Sequence, residues 1–243
     1  MPSSSLHARR SEVDQVGVAQ PNAALPKMAF FYHPFSFAAM AIVEAARSTC
    51  DIVWLVDKDD PRHGSMLRLL SRVGPVIDVA GLSAEAAEPL VSAHGIAGVL
   101  ALADECLEWT AALAVALGLP FLSPEAARRA TDKFAQRSAL RSAGLPTPGC
   151  WVVNAGADEE TWSDLRAEVV FPAVMKPRQG SGSRNTQIVR SADEARSLAG
   201  ASADVNSPDW VLEEYIADID HTVCGDGFAN YVSVESIVVN GVV

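Results

Sequence analysis

The sequence predicts an α/β protein in which a Rossmann-like parallel-sheet domain is followed by a smaller unit of mixed helices and strands. Three observations carry this. Strand-like apolar runs alternate with segments of helical spacing from residue 28 to residue 122, the pattern of a parallel, doubly wound sheet. A glycine-rich stretch, Gly180 to Ser183, separates two further strand-like runs. The 243 residues, 49% hydrophobic and 20% charged, are enough for more than one folding unit.

The elements follow in chain order. Residues 1–26 are polar and lack an apolar block with a small-residue cleavage site, so they read as a disordered leader rather than a secretory signal. Strands are expected over 28–32, 52–56, 76–79 and 96–102, with helices over 36–47, 83–94 and 106–117, the last closed by Gly118. A short strand over 120–122 completes a first domain placed at 27–123. Connecting helices occupy 124–146. Ser123-Pro124-Glu125 offers an N-cap, a first-turn proline and a dipole-matched acid. The helix it opens is expected to carry Asp132 and Lys133, and a second helix over 134–143 ends at Gly144, with Pro146 and Pro148 beyond. A small α+β subdomain is placed at 147–209. It holds strands over 150–153, 172–176 and 186–189, a helix over 158–169, and another begun by the capping-box pair Ser191 and Glu194. The last part, 210–243, has strands over 210–216 and 232–239, then an Asn240-Gly241 turn signal.

Composition excludes several classes. A net charge of −11 argues against non-specific nucleic-acid binding, which needs a basic footprint. No apolar run suits a membrane span. Cys50, Cys106, Cys150 and Cys224 are too widely spaced for a zinc or redox motif and read as reduced residues of a cytoplasmic protein. The first strand runs into His33-Pro34-Phe35-Ser36-Phe37 rather than a glycine-rich turn, which disfavours a nicotinamide dehydrogenase. His33, Ser36, Asp57 and Asp104 fall at the carboxyl ends of strands, where open sheets bind ligands, although each also suits a turn or cap.

The chemistry concentrates in Lys176-Pro-Arg-Gln-Gly180-Ser181-Gly182-Ser183-Arg184. Gly180 and Gly182 let backbone approach a ligand, successive N–H groups can form an anion nest, and Ser181 and Ser183 add hydroxyls. Lys176 ends the entering strand and can aim its ammonium at the same anion. The loop is not a Walker loop, and an ordinary hairpin would have the same composition. Lysine is scarce, four residues against fifteen arginines, so Lys133 and Lys176 stand out as point charges where an arginine fork was available to the composition.

Order and spacing add a resemblance. Asp132-Lys133, Ala143-Gly144-Leu145-Pro146, Phe171-Pro172-Ala173-Val174-Met175-Lys176, the glycine-rich loop and Leu212-Glu213-Glu214-Tyr215-Ile216 together resemble the ATP-grasp superfamily, most of all its biotin-carboxylase-like amino-acid and peptide ligases. Tyr231 to Ile237 is similar to the next strand of that group. The resemblance implies an incomplete ATP-grasp domain after the Rossmann-like one: a lid subdomain plus the start of the second half. It implies that Lys133 and Lys176 hold ATP phosphates from opposite sides and that the loop from Gly180 through Ser181 and Gly182 to Ser183 closes over them. It also implies that Glu213, the Glu214 carbonyl and the Ile216 N–H form the adenine edge.

The sequence departs from the family where a ribose-binding Gly-x-Glu is usual. Here Ala217-Asp218-Ile219-Asp220-His221 and a polar insertion stand instead, with Asp220 as a possible substitute. The family's later carboxylates, Asn and Arg do not occur before Val243, so ligands for Mg²⁺ are expected beyond that residue. The implied activity is ATP-dependent carboxylate–amine ligation through an acyl phosphate, with small-molecule acid and amine substrates. The alternatives are a bicarbonate-activating carboxylase and a truncated, non-catalytic nucleotide-binding module. The 243 residues alone are expected to be inactive. Relatives of this kind often dimerise through the Rossmann-like face, which makes a homodimer the oligomer to look for.

Overall fold

The structure is a computed structural model, and it describes residues 24–34, 36–154, 156–201 and 209–217. The expected leader, the polar insertion after Ala217, Asp220, His221 and the strand over 232–239 lie outside the described residues. The chain divides into two compact units after Pro124.

The first unit is a four-stranded parallel sheet in the order β3-β2-β1-β4, formed by β1 (Lys27–Phe31), β2 (Asp51–Val56), β3 (Val76–Asp78) and β4 (Ile96–Ala101). Helices α1 (Ala39–Ala46), α2 (Met66–Val73), α3 (Ala84–Ser92) and α4 (Asp104–Leu117) connect and cover it. The central strand β2 shows why it folds so. Ile52, Trp54 and Val56 enter one buried cluster with Ile42 of α1 and Leu70 of α2, while Val53 and Leu55 enter the other with Val91 of α3 and Leu113 of α4. A strand covered on both faces must be apolar at every position, because successive side chains point to opposite sides. Gly118 ends α4 at φ 65°, a left-handed conformation that glycine adopts without strain.

One expectation fails in this unit, and one element was not foreseen. Residues 120–122 form no strand: Pro120 has no N–H for a ladder, and Leu119 and Phe121 instead pack onto the core beside α3 and α4. Helix α2 was not expected, because the charged stretch from Asp57 to His63 masked the apolar spacing of Met66, Leu67, Leu70 and Val73.

The second unit has an antiparallel sheet in the order β5-β8-β6-β7, from β5 (Cys150–Val153), β6 (Ala173–Pro177), β7 (Gln187–Val189) and β8 (Trp210–Glu214). Helices α5 (Pro124–Thr131) and α6 (Lys133–Ser142) precede the sheet, and α7 (Glu159–Glu168) and α8 (Ala192–Ala201) cover one of its faces. Trp162, Leu165, Ala195 and Ala199 pack there against Ala173, Met175, Trp210 and Leu212. Strand alternation therefore turns Val174, Lys176, Val211 and Glu213 to the opposite face. The capping pair holds: Glu194 N–H donates to Ser191 Oγ, and Glu194 Oε2 accepts from Arg190 N–H.

Asp132 and Lys133 are not on the helix opened at Pro124. Helix α5 ends at Thr131, Asp132 is the N-cap of α6 with its carboxylate accepting from Ala135 N–H at 3.0 Å, and Lys133 is the first residue of α6. Asp is a favoured N-cap residue, so the second of the two expected helices starts at Lys133 rather than at Phe134. Strand β8 stops at Glu214, so Tyr215 and Ile216, expected within the strand, lie beyond it.

Candidate functional site

The loop from Arg178 to Thr186 joins β6 to β7 within the second unit. Gly180 and Gly182 have φ of 106° and 69°, and Ser183 and Asn185 also lie at positive φ, 54° and 56°. Four such residues in six curl the chain tightly, and for the two that are not glycine the conformation is uncommon. A Cβ added at Gly180 or Gly182 would meet nothing within 4 Å, so conformation rather than crowding favours glycine there, and open space adjoins both.

Two anchors hold this loop to the start of α6. Arg178 pairs with Asp132 at 2.7 Å and with Asp209 at 3.1 Å, its carbonyl accepts from Lys133 N–H at 3.0 Å, and its guanidinium lies 5.8 Å from the Phe134 ring centroid. Burial alone would raise the Asp132 pKa. The Arg178 hydrogen bonds and the N–H groups of the helix start outweigh it, and the carboxyl is held below its usual value. The second anchor is Lys133 Nζ, which donates to the Gly180 carbonyl at 2.8 Å. Together these enclose a hollow of about 230 Å³ lined by Lys133, Gly180, Ser181, Ser183, Arg184 and Thr186. Ligand pockets usually measure about 300–1,000 Å³, so in this conformation the hollow suits a phosphate-sized group rather than a whole nucleotide.

A second cationic group sits on the sheet face turned away from α7 and α8. Lys176 Nζ lies 2.7 Å from Glu213 Oε2, and Arg137 of α6 lies 3.3 Å from Glu213 Oε1. The Glu213 side chain is only 7% exposed, so its charge must be met by partners. Glu214 turns elsewhere: Gly149 N–H donates to its carboxylate at 3.1 Å, and its own N–H donates to the Gly149 carbonyl at 2.9 Å. Tyr215 and Ile216 are exposed.

The structure thus brings Lys133, Gly180, Ser181 and Ser183 to one hollow, with Gly182 in the same turn, and brings Lys176 of β6 and Glu213 of β8 together as a diagonal pair across the two strands. Ile216 and Glu214 follow on the end of β8. Arg137 and Arg178 were missed. Both lay in the sequence as ordinary arginines, and only the buried carboxylates Glu213 and Asp132 mark them out. Among the described residues no group of three or more His, Cys, Asp or Glu is arranged to hold a metal ion.

The first unit carries its own polar cluster at the carboxyl ends of β1, β2 and β4. His33 N–H donates to Ser36 Oγ, and Asp57 Oδ1 accepts from Asp59 N–H in a turn. Arg62 Nη2 is 3.1 Å from His33 Nε2, which must act as acceptor because a guanidinium only donates. Burial lowers the His33 pKa and favours that neutral form, and Glu105 stands 4.0 Å from the other ring nitrogen. Arg62 also grips Asp60 at 2.6 Å and brings its pKa down to about 2. An apolar hollow of about 600 Å³ in the same unit, between α1 and the β1–β4 face, is unsuited to a polyphosphate.

No protein-family model matches the chain. Among characterised relatives, it is 33% identical over 102 residues to D-alanine–D-alanine ligase of Synechococcus, covering 41% of this chain and 29% of that one. It is 38% identical over 85 residues to biotin carboxylase of Halalkalibacterium halodurans, covering 34% and 18%. Among solved structures, L-amino acid ligase of Bacillus licheniformis superposes with a TM-score of 0.58 at 22% identity, covering 80% of this chain and 45% of that one. The matched stretches span less than a third of the curated relatives' lengths. The described residues share the fold of ATP-grasp enzymes, and those two characterised sequence relatives are ATP-grasp enzymes.

Proposed function

We propose, from this ATP-grasp fold and kinship, that the protein takes part in ATP-dependent ligation of a small-molecule carboxylate to an amine. The observation that carries the reading is the convergence of Lys133 with Gly180, Ser181 and Ser183 on one hollow beside a tightly curled glycine-rich turn. Those residues fit a nucleotide's phosphates: a cation, two hydroxyls and a turn with open space beside its glycines. Lys176 supports the phosphates from β6, and the Glu214 carbonyl and Ile216 N–H at the end of β8 meet adenine.

ATP supplies the phosphoryl group that makes the carboxylate reactive, as an acyl phosphate. This chain's part is to bind and screen. Lys133 and Lys176 offset phosphate charge. The loop from Gly180 to Ser183 covers the phosphates and excludes water, which would hydrolyse the activated acid. In the ligand-free arrangement Lys133 holds the Gly180 carbonyl, so binding exchanges that neutral acceptor for a charged one, and the exchange favours the phosphate.

Mg²⁺ belongs to the proposal, with ligands outside the described residues. A bicarbonate-activating reaction is the second reading, favoured by the biotin carboxylase relative. The acidic balance of the chain fits small-molecule partners rather than nucleic acid. No helix among the described residues is long and apolar enough to cross a membrane; a cytoplasmic setting and a homodimer are part of the proposal. Calorimetric titration with ADP and ATP tests the core of it, followed by phosphate release with mixed amino acids, or with bicarbonate, and Mg-ATP. Absence of nucleotide binding overturns the reading. Bicarbonate-dependent turnover without an amine selects the second one.

A further inference from the structure

Arg137 is the residue of the second unit whose placement asks for an explanation. It lies one helical turn beyond Lys133 on α6, and residues four apart share a helix face. The same face thus sends Lys133 to the Gly180 carbonyl and Arg137 to Glu213. Glu213 is held by two cations at once. Its Oε2 lies 2.7 Å from Lys176 Nζ and 3.4 Å from Arg137 Nη2, and its Oε1 lies 3.3 Å from Arg137 Nε. The last pair is close but poorly aligned. Arg137 Nε and Glu213 Oε1 are both buried, and neither has a well-formed hydrogen bond among the described residues.

Charge counting shows what the arrangement does. Lys176 and Glu213 alone sum to zero, and an ammonium 2.7 Å from a buried carboxylate is largely spent on it. With Arg137 the group of three carries a net charge of +1. The guanidinium fork shares the carboxylate, and a planar fork does this better than a point charge. We propose that Arg137 is a positioning residue for the nucleotide site: by sharing Glu213 it fixes that carboxylate and leaves Lys176 with positive charge to offer phosphate. The proposal rests on the nucleotide reading above and adds a residue that does not itself touch the ligand.

Acting through Glu213 is testable, because a mere structural role and a direct phosphate contact give different patterns. ADP affinity is measured by calorimetry, with thermal melts, for the wild-type protein, Arg137→Met, Arg137→Lys, Glu213→Gln and the double variant Arg137→Met/Glu213→Gln. Arg137→Met should bind ADP about tenfold more weakly, and Arg137→Lys, which keeps the charge but not the fork, should recover part of the loss. With Glu213→Gln in place there is no carboxylate left to share, and adding Arg137→Met should change affinity by less than about twofold. The same loss with and without the Glu213 carboxylate would mean that Arg137 meets the phosphate directly, and wild-type affinity in Arg137→Met would mean that it has no role; either overturns the proposal. If Arg137→Met does not fold, Arg137→Gln is held to the same outcomes. A wild-type protein that binds no ADP removes the nucleotide reading itself, and this inference with it.

Discussion

Replacing Lys176 by alanine perturbs two quantities at once, and the structure separates them. The first is stability. Glu213 is nearly buried, and breaking a buried pair by removing one partner costs about 3–5 kcal/mol when the remaining charge is left uncompensated. Here Arg137 remains within 3.3 Å of the carboxylate, so the cost should fall to roughly half, about 1.5–2.5 kcal/mol. The second is affinity. A charge-assisted contact to phosphate contributes about 1.5–3 kcal/mol, or about ten- to a hundredfold in ADP affinity. Urea unfolding of the nucleotide-free protein reads the first quantity, and calorimetric titration with ADP, at a temperature where the variant stays folded, reads the second. A variant that melts earlier but binds ADP as the wild type does would show Lys176 to be a structural partner of Glu213 only, and would refute its assignment to the phosphates.

Lys133→Ala should weaken ADP binding, because its ammonium lines the hollow beside the glycine-rich turn and exchanges the Gly180 carbonyl for phosphate; wild-type affinity on titration would remove Lys133 from the phosphates. Arg178→Ala should loosen the loop by releasing Asp132 and Asp209, seen as faster backbone exchange at 178–186 without nucleotide; unchanged exchange would mean that the turn's own bonds set its shape. In the first unit, Asp60 titrates at about 2 because Arg62 stabilises its charged form. A depressed carboxyl contributes stability above its ordinary pKa and loses it as pH falls toward 2. Arg62→Ala should therefore be less stable than wild type near pH 7, with the gap closing as pH falls from about 4 toward 2. A gap of constant size in urea melts across that range would assign the loss to packing.

Much of this architecture was legible because burial is written in periodicity. The four parallel strands were visible as continuous apolar runs, since a strand covered on both faces admits no polar alternation. Helix α2 was hidden by the charged turn before it, and the run at 120–122 imitated a strand because packing, which makes residues apolar, does not require a ladder. In the candidate site, Lys133, Lys176 and the glycines stood out through spacing and scarcity. Arg137 and Arg178 did not. Their significance depends on which carboxylates the fold buries, Glu213 and Asp132, and that is fixed by strand pairing and by the break between α5 and α6. His33 was singled out, but its partners Arg62 and Glu105 come from two other strand ends and share no local pattern with it.

In the proposed site the turn from Gly180 to Arg184 meets the phosphates of a nucleotide. Hydrogen–deuterium exchange of this segment, with and without a saturating concentration of ATP confirmed by calorimetry, tests it most directly. Exchange at residues 180–184 should slow when ATP is present, because backbone N–H groups of the turn become donors to phosphate oxygens. Unchanged exchange there, with ATP demonstrably bound, would place the phosphates elsewhere and overturn the proposed site.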